Sequence, residues 1–263
     1  MGSYLPRLEH GAVLDALKPG ARVREWVRRL TDAVFPPHRF DGVRALEAGL
    51  SPDAWSKVVF LEAPVCDGCG APFEFELPER CAACQARPFV FARGRAACLY
   101  DDASRELILR FKHADRVDLA SLFATWIGRS AKELLEEADA VVPVPLHPMR
   151  LIRRRYNQAA EIARPLARRA GLEYLPDALV RKRRTESQGA KSGAARRRNV
   201  QGAFEVPETR RKQLKGRRIL LIDDVLTTGA TADACARALI KAGARAVDLA
   251  VVARVPQPKD LTI

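Results

Sequence analysis

Ile222-Asp223-Asp224-Val225-Leu226-Thr227-Thr228-Gly229-Ala230-Thr231 joins an apolar run, Arg218–Val225 (RILLIDDV), to a helical pattern over Thr231–Lys241 that Gly243 ends. The run has no period-two alternation, as expected of a parallel strand covered on both faces. Two carboxylates close it, and a loop of small hydroxyl residues and glycine then opens the helix. Free backbone N–H groups and the helix dipole favour a phosphate at such a place. Gly229 lets the backbone come close, and Thr227, Thr228 and Thr231 add hydroxyl donors around Ala230. Asp223 and Asp224 are suited to accept hydrogen bonds from ribose hydroxyls and to stand near Mg²⁺, directly or through water. An Asp-Asp pair alone reads better as two surface acids on a solvated turn capped by Thr. The whole ten-residue run after an apolar strand favours a ligand site. It is not a Walker A loop, because no Lys follows the glycine at the required spacing.

Outward from this stretch, Val247–Val255 is a second buried strand. Strand, helix and strand with short connections predict a right-handed βαβ unit in a mostly parallel sheet with helices on both faces. Ala140-Val141-Val142 is a shorter buried strand closed by Pro143 and Pro145. A helix is expected over Asn157–Ala170, ended by Gly171, with a kink or break at Pro165. Upstream, helical spacing marks a segment from Ser104 through Leu107, Ile108 and Phe111, an amphipathic stretch over Leu119–Ala138, and Arg22–Val34, stopped by Pro36-Pro37. Residues 64–90 form a loop-dominated module. The expected division is residues 1–97, a helical segment plus that module, and residues 98–263, the α/β domain. No internal repeat is visible.

The module carries Cys66-x₂-Cys69 and Cys81-x₂-Cys84, two knuckles with eleven residues between them. This spacing matches a Cys₄ zinc site with a closed, structural coordination shell. Gly68 and Gly70 suit the tight turn that lets thiolates converge. A redox CxxC is the alternative, disfavoured by the presence of two such pairs. Cys98 and Cys235 read as ordinary buried thiols.

The net charge is +13 over 263 residues. Residues 1–140 hold 19 Lys+Arg and 21 Asp+Glu, and residues 141–263 hold 26 and 11, so the basic excess lies entirely in the C-terminal part. A field of that sign attracts phosphates, on small molecules or along a nucleic-acid backbone. Arg181–Asn199 alone has eight basic residues and one acid, a composition that resists packing and suggests a mobile loop. A merely solvated cationic surface is the plain reading of any one of these residues. Few aromatics stand among them, only Tyr156 and Phe204, so strong base stacking is not expected. No stretch reaches the ~18 apolar residues of a membrane span. Asp15, Lys18 and Arg22 interrupt the weakly apolar N-terminal stretch, unlike a signal peptide. A cytoplasmic protein is expected, with its cysteines as thiols or metal ligands.

The acidic loop resembles the signature of type I phosphoribosyltransferases that binds phosphoribosyl pyrophosphate (PRPP). Two more segments narrow the likeness: Val142-Pro-Val-Pro-Leu-His147 with Arg150 and Arg154-Arg155-Tyr156-Asn157-Gln158-Ala159, and Gln188 with Arg198-Asn199-Val200 and Gly202-Ala203-Phe204. Together with the CxxC pair, residues 60–255 resemble the ComF family of competence-associated phosphoribosyltransferase-like proteins. Two departures stand out. Arg155 and Tyr156 replace Gly and Phe of the family's Arg-Gly-Phe-Asn-Gln. His38, Asp41, Ser51 and Ala54 stand where many relatives carry a further set of cysteines. Thr227 also replaces the Asp that purine-salvage phosphoribosyltransferases often place before Thr-Gly, which argues against a hypoxanthine- or guanine-type enzyme.

The resemblance implies a type I phosphoribosyltransferase fold with a small N-terminal Cys₄ zinc module. It implies that Asp223 and Asp224 grip the ribose of PRPP, with Mg²⁺, and that Thr227, Thr228, Gly229, Ala230 and Thr231 cradle the 5′-phosphate. Arg150, Arg153 and Arg154 fall at the family's pyrophosphate loop, and Arg181 and Arg198 flank its flexible loop. A link to natural transformation and single-stranded DNA is implied as well. Arg181–Arg184 and Arg196–Arg198 are the candidates for contact with a DNA backbone. His147 is compatible with a place at the pyrophosphate loop and equally with a structural role. Lys112 is either solvated or reaches the site from the hood.

Overall fold

The computed structural model describes residues 52–73, 79–113, 116–147, 149, 151, 155–183 and 198–256, all within one compact unit, Pro52–Ile263. The expected helix over Arg22–Val34 and the positions of His38, Asp41 and Ser51 lie outside these residues. In chain order the elements are α1 (Pro52–Ser56), α2 (Ala82–Ala86), β1 (Gly94–Leu99), α3 (Asp102–His113), α4 (Leu119–Ser130), α5 (Lys132–Glu137), β2 (Ala140–Pro143), α6 (Gln158–Ala170), β3 (Glu173–Tyr174), β4 (Val180–Arg181), β5 (Phe204–Glu205), a 3₁₀ turn at Glu208–Arg210, α7 (Arg211–Leu214), β6 (Arg218–Leu226), α8 (Ala230–Lys241) and β7 (Ala246–Arg254).

Five strands form one sheet in the order β1-β7-β6-β2-β3, with every neighbouring pair parallel. β4 and β5 make a separate antiparallel pair. Ile219, Leu220, Leu221 and Ile222 of β6 are all fully buried, because helices cover both faces. Ile219 and Leu221 join Val247, Leu249 and Val251 of β7 in one core with Cys235, Ala236 and Leu239 of α8. α4 and α6 pack together elsewhere on the sheet. The chain leaves β2 toward β3 on one side and leaves β6 toward β7 on the other. The carboxyl ends of the adjacent strands β2 and β6 therefore border the crevice where open α/β sheets bind ligands.

The helices follow their sequence signals with two differences. Asn157 caps α6, its Oδ1 accepting from Ala159 N at 3.1 Å, and Gly171 ends the helix at φ 68°. Pro165 does not interrupt α6: the cost is one missing N–H donor, and the buried stripe Ile162, Ala163, Leu166, Ala167 runs straight through it. The amphipathic stretch over Leu119–Ala138 is two helices, broken at Ala131, which takes φ −120° and ψ 29° while fully buried. α3 buries Ser104, Leu107, Ile108 and Phe111, spaced as one helix face. Asp101 and Ser104 cap it reciprocally, each side chain accepting the other's backbone N–H, at 2.9 and 3.0 Å. Among the described residues, no helix is long and apolar enough to cross a membrane.

Candidate active site and metal centre

β2 and β6 end in register. Pro143 pairs with Ile222, and Val144 N donates to Ile222 O at 2.9 Å. The Val-Pro-Val-Pro strand end therefore lies beside Asp223. Asn157 Nδ2 donates to Val144 O at 3.0 Å and so ties the start of α6 to the same edge. Between them, Arg155 holds φ 66°, in the left-handed region where a side chain is strained. His147 organises the turn after β2: its Nδ1 accepts from Met149 N at 3.2 Å, which favours the structural alternative. Arg150, Arg153 and Arg154 lie outside the described residues.

Asp223 and Asp224 sit at the carboxyl end of β6, both partly exposed. Asp223 accepts from Asp224 N at 2.9 Å. Burial, and then the like charge of Asp224, push the Asp223 carboxyl up to about 7, while that backbone hydrogen bond and the charges of Lys112 and Arg181 pull the other way. Lys112 reaches in from the last turn of α3, its Nζ 2.9 Å from Asp224 Oδ2, with each side chain only 16% exposed. It is thus paired with a residue of the candidate site and is not a solvated lysine. Helix periodicity puts Lys112 beside the buried Phe111 but gives no sign of which strand end it meets. The carbonyl of Phe111 accepts from the Tyr156 hydroxyl, which fastens the end of α3 to the segment entering α6.

Arg181, expected at the flexible loop, stands in β4 with its guanidinium 5.2 Å from the centre of the Phe204 ring. Arg198 is exposed and lines a groove of about 610 Å³ with Arg87, Arg237 and Lys241 over Val200, Phe204 and Ala234. Residues 184–197, with Gln188, lie outside the described residues.

The loop after β6 begins with exposed Thr227, turns at Gly229 and enters α8 at Ala230. Gly229 has φ 73°, and a Cβ there would come within 2.4 Å of the Phe89 ring. Phe89 stacks on Phe91 with centroids 4.5 Å apart. Asp233, in the first turn of α8, accepts from Val90 N at 2.6 Å and pairs with Arg237. The segment just after the second cysteine knuckle is thereby fastened to the candidate phosphate loop. Nothing in the sequence pointed to this: Phe89 and Asp233 are 140 or more residues from the groups they meet.

The sulfurs of Cys66, Cys69, Cys81 and Cys84 lie within 4.8 Å of one another, with Cys69 and Cys81 Sγ 3.9 Å apart. A tetrahedral zinc with bonds of ~2.3 Å needs sulfurs about 3.8 Å apart. The four donors thus fit a structural metal ion, and a closed thiolate shell leaves no open position for catalysis. Hydrogen bonds from Cys69 and then Cys84 hold the Cys66 thiol far below its ordinary value. Gly68 keeps room for Cys84 here, since a Cβ would stand about 3.0 Å from Cys84 Cβ and Sγ. Gly70, at φ 66°, faces Gly94 O and Ala96 N. Arg254, buried at the end of β7, points Nη2 at Cys69 Sγ from 3.8 Å. Cys69, Cys81, Cys84 and Phe89 share a cavity of about 260 Å³ with Leu226, Thr227, Thr228 and Arg254.

A family model described as a phosphoribosyl transferase domain matches residues 157–262. The DNA utilization protein YhgH of Escherichia coli K12 is 30% identical over 202 residues, covering 74% of this chain and 86% of that protein. Competence protein F of Haemophilus influenzae is 28% identical over 204 residues, with 73% and 85% covered. Competence protein ComFC of Streptococcus pneumoniae is 29% identical over 188 residues, with 69% and 78% covered. The chain belongs to the ComF family. Its fold is that of the type I phosphoribosyltransferases, a parallel sheet with helices on both faces, joined to a cysteine cluster. Within a ComF protein the left-handed Arg155 acquires a reason: it occupies the position where the family pattern has glycine, the residue that takes this backbone conformation without strain.

Proposed function

We propose that this ComF-family protein binds PRPP with Mg²⁺ and transfers its phosphoribosyl group to an acceptor with release of pyrophosphate. The observation that carries this reading is the placement of Asp223-Asp224 and the Thr227–Thr231 loop side by side at the β2–β6 crevice. Asp223 and Asp224 accept the ribose hydroxyls, and the N–H groups entering α8, with Thr227, Thr228 and Thr231, take the 5′-phosphate. Arg150 and Arg154 meet the pyrophosphate, and Arg181 and Arg198 flank the segment that closes over it. That Asp224, next to Asp223, already holds an ammonium at 2.9 Å supports a cation there. Bound Mg²⁺ would neutralise pyrophosphate oxygens as the bond to C1 lengthens. The Cys₄ cluster holds Zn²⁺ in a structural role. The deciding experiment is calorimetric titration with PRPP and Mg²⁺, wild type beside Asp223→Ala/Asp224→Ala. Binding that the double variant loses supports the reading, and no binding by the wild type overturns it.

A second reading has its own support. Arg87, Arg198, Arg237 and Lys241 border one groove, the C-terminal part is strongly basic, and relatives are named for competence and DNA utilization. In it the protein is a cytoplasmic DNA-uptake factor that holds single-stranded DNA by its backbone, with or without turnover at the phosphoribosyl site. Affinity for an oligonucleotide should then fall steeply with salt. No binding at low salt would remove this reading. A PRPP-responsive regulator, binding without turnover, is the outcome if calorimetry succeeds and no pyrophosphate is released with any acceptor.

A further inference from the structure

We infer that Lys112 is an internal counter-ion of the acidic pair, competing with a divalent cation for Asp224 and giving way when that cation binds. The inference rests on Asp223-Asp224 being the cation and ribose site. Its basis is where Lys112 comes from and what surrounds it. The residue belongs to α3, the helix after β1, whose C-terminal turn overhangs the end of β6. The backbone of that turn is fixed on two sides: Phe111 is fully buried, and its carbonyl accepts from Tyr156. The ammonium itself sits on a flexible four-carbon stem, so it can leave Asp224 while the helix stays in place.

Both partners of this pair are mostly shielded from water, so the ammonium is a substantial share of the positive charge that Asp224 meets. A divalent ion on the same carboxylate oxygen would stand within a few ångströms of Nζ. Two cations do not share one carboxylate oxygen at that spacing without strong repulsion, so occupancy by one weakens the other. The ordinary alternative is that Lys112 only anchors α3 to the sheet. That role predicts loss of stability on its removal and no gain in cation binding.

The test uses Mn²⁺ as the probe, followed by electron paramagnetic resonance on the full-length zinc-loaded protein with no phosphoribosyl ligand present. Lys112→Met should bind Mn²⁺ roughly tenfold more tightly than the wild type. Lys112→Arg, which restores a cation, should return to wild-type affinity, and Lys112→Met/Asp224→Asn should lose the gain. Lys112→Gln serves in place of the Met variant if that one does not fold, judged by circular dichroism. Mn²⁺ affinity unchanged or weakened in a folded neutral variant overturns the proposal. The result separates from that of the functional reading: a Mn²⁺ gain in a protein that never binds PRPP keeps the counter-ion and removes the phosphoribosyl site. PRPP binding with no Mn²⁺ gain does the reverse.

Discussion

Phe89 lies against Gly229, so closely that a methyl group at 229 would fall 2.4 Å from the ring. One residue follows the cysteine knuckles and the other is the turn of the candidate phosphate loop. The loop is therefore shaped from two sides, by its own β6–α8 connection and by a segment positioned by the cysteine cluster.

Gly229→Ala should remove PRPP binding in calorimetry and destabilise the protein by about 1–3 kcal/mol, from overpacking plus a strained φ. Adding Phe89→Ala should not restore binding, because the left-handed backbone remains strained without glycine. Wild-type affinity in the single variant would contradict the assignment of this loop.

Metal content links the two ends of this contact. The purified protein should carry one zinc per chain, and Cys84→Ser should lower that content. Stripping the metal should lower stability by about 4 kcal/mol or more, the linkage expected when free metal exceeds Kd a thousandfold. Phosphoribosyl ligand affinity should fall with it, since Phe89 and Val90 brace Gly229 and Asp233. Full ligand affinity in a metal-free, folded protein would show that the brace is dispensable.

Burial and the charge of Asp224 raise Asp223 from 3.8 to about 7. The folded protein thus binds this proton more tightly than the unfolded chain does, and the stability it contributes is present in acid and lost as pH rises through about 7. Ligand affinity runs the opposite way, because ribose hydroxyls and a cation prefer the carboxylate. Affinity for PRPP with Mg²⁺ should rise by up to roughly tenfold per pH unit between about 5 and 7, then level off. Asp224→Asn should move the Asp223 midpoint down, read by carboxyl-labelled NMR. A flat pH profile would contradict the raised carboxyl.

Arg155→Gly should stabilise the protein by about 0.5–1 kcal/mol in urea unfolding, the relief of a left-handed side-chain residue less the extra freedom of glycine in the unfolded chain. A loss of stability would mean that Arg155 side-chain contacts outweigh the strain.

Asp248, 1% exposed, receives Arg218 Nε at 2.6 Å and Arg93 Nη2 at 3.3 Å, and Arg93 also pairs with Glu137. Asp248→Ala leaves Arg93 and Arg218 sharing only the half-exposed Glu137 and should cost about 1–3 kcal/mol. Because this network lies at the opposite end of the strands from Asp223, the loss should appear in thermal unfolding with little change in ligand affinity at low temperature.

The sequence by itself determined three strands of the sheet, β2, β6 and β7, and the position of the acidic loop at the end of β6, but not β1 or β3. Arg218–Val225 is apolar without alternation, as expected of a strand covered on both faces, and the Asp-Asp to Thr-Gly run is local, its parts placed by one strand and one helix. The cysteine cluster was legible for the same reason, since the two CxxC spacings bring thiols together within short turns. The two helices over Leu119–Ala138 were not, because the break at Ala131 comes from packing, with no Gly or Pro to mark it. Only the tertiary structure decided that Lys112 reaches Asp224, that Phe89 braces Gly229, and that Arg254 faces Cys69. Each of these joins segments more than 100 residues apart, where periodicity and propensity carry no information and the path of the chain across the sheet alone sets who meets whom.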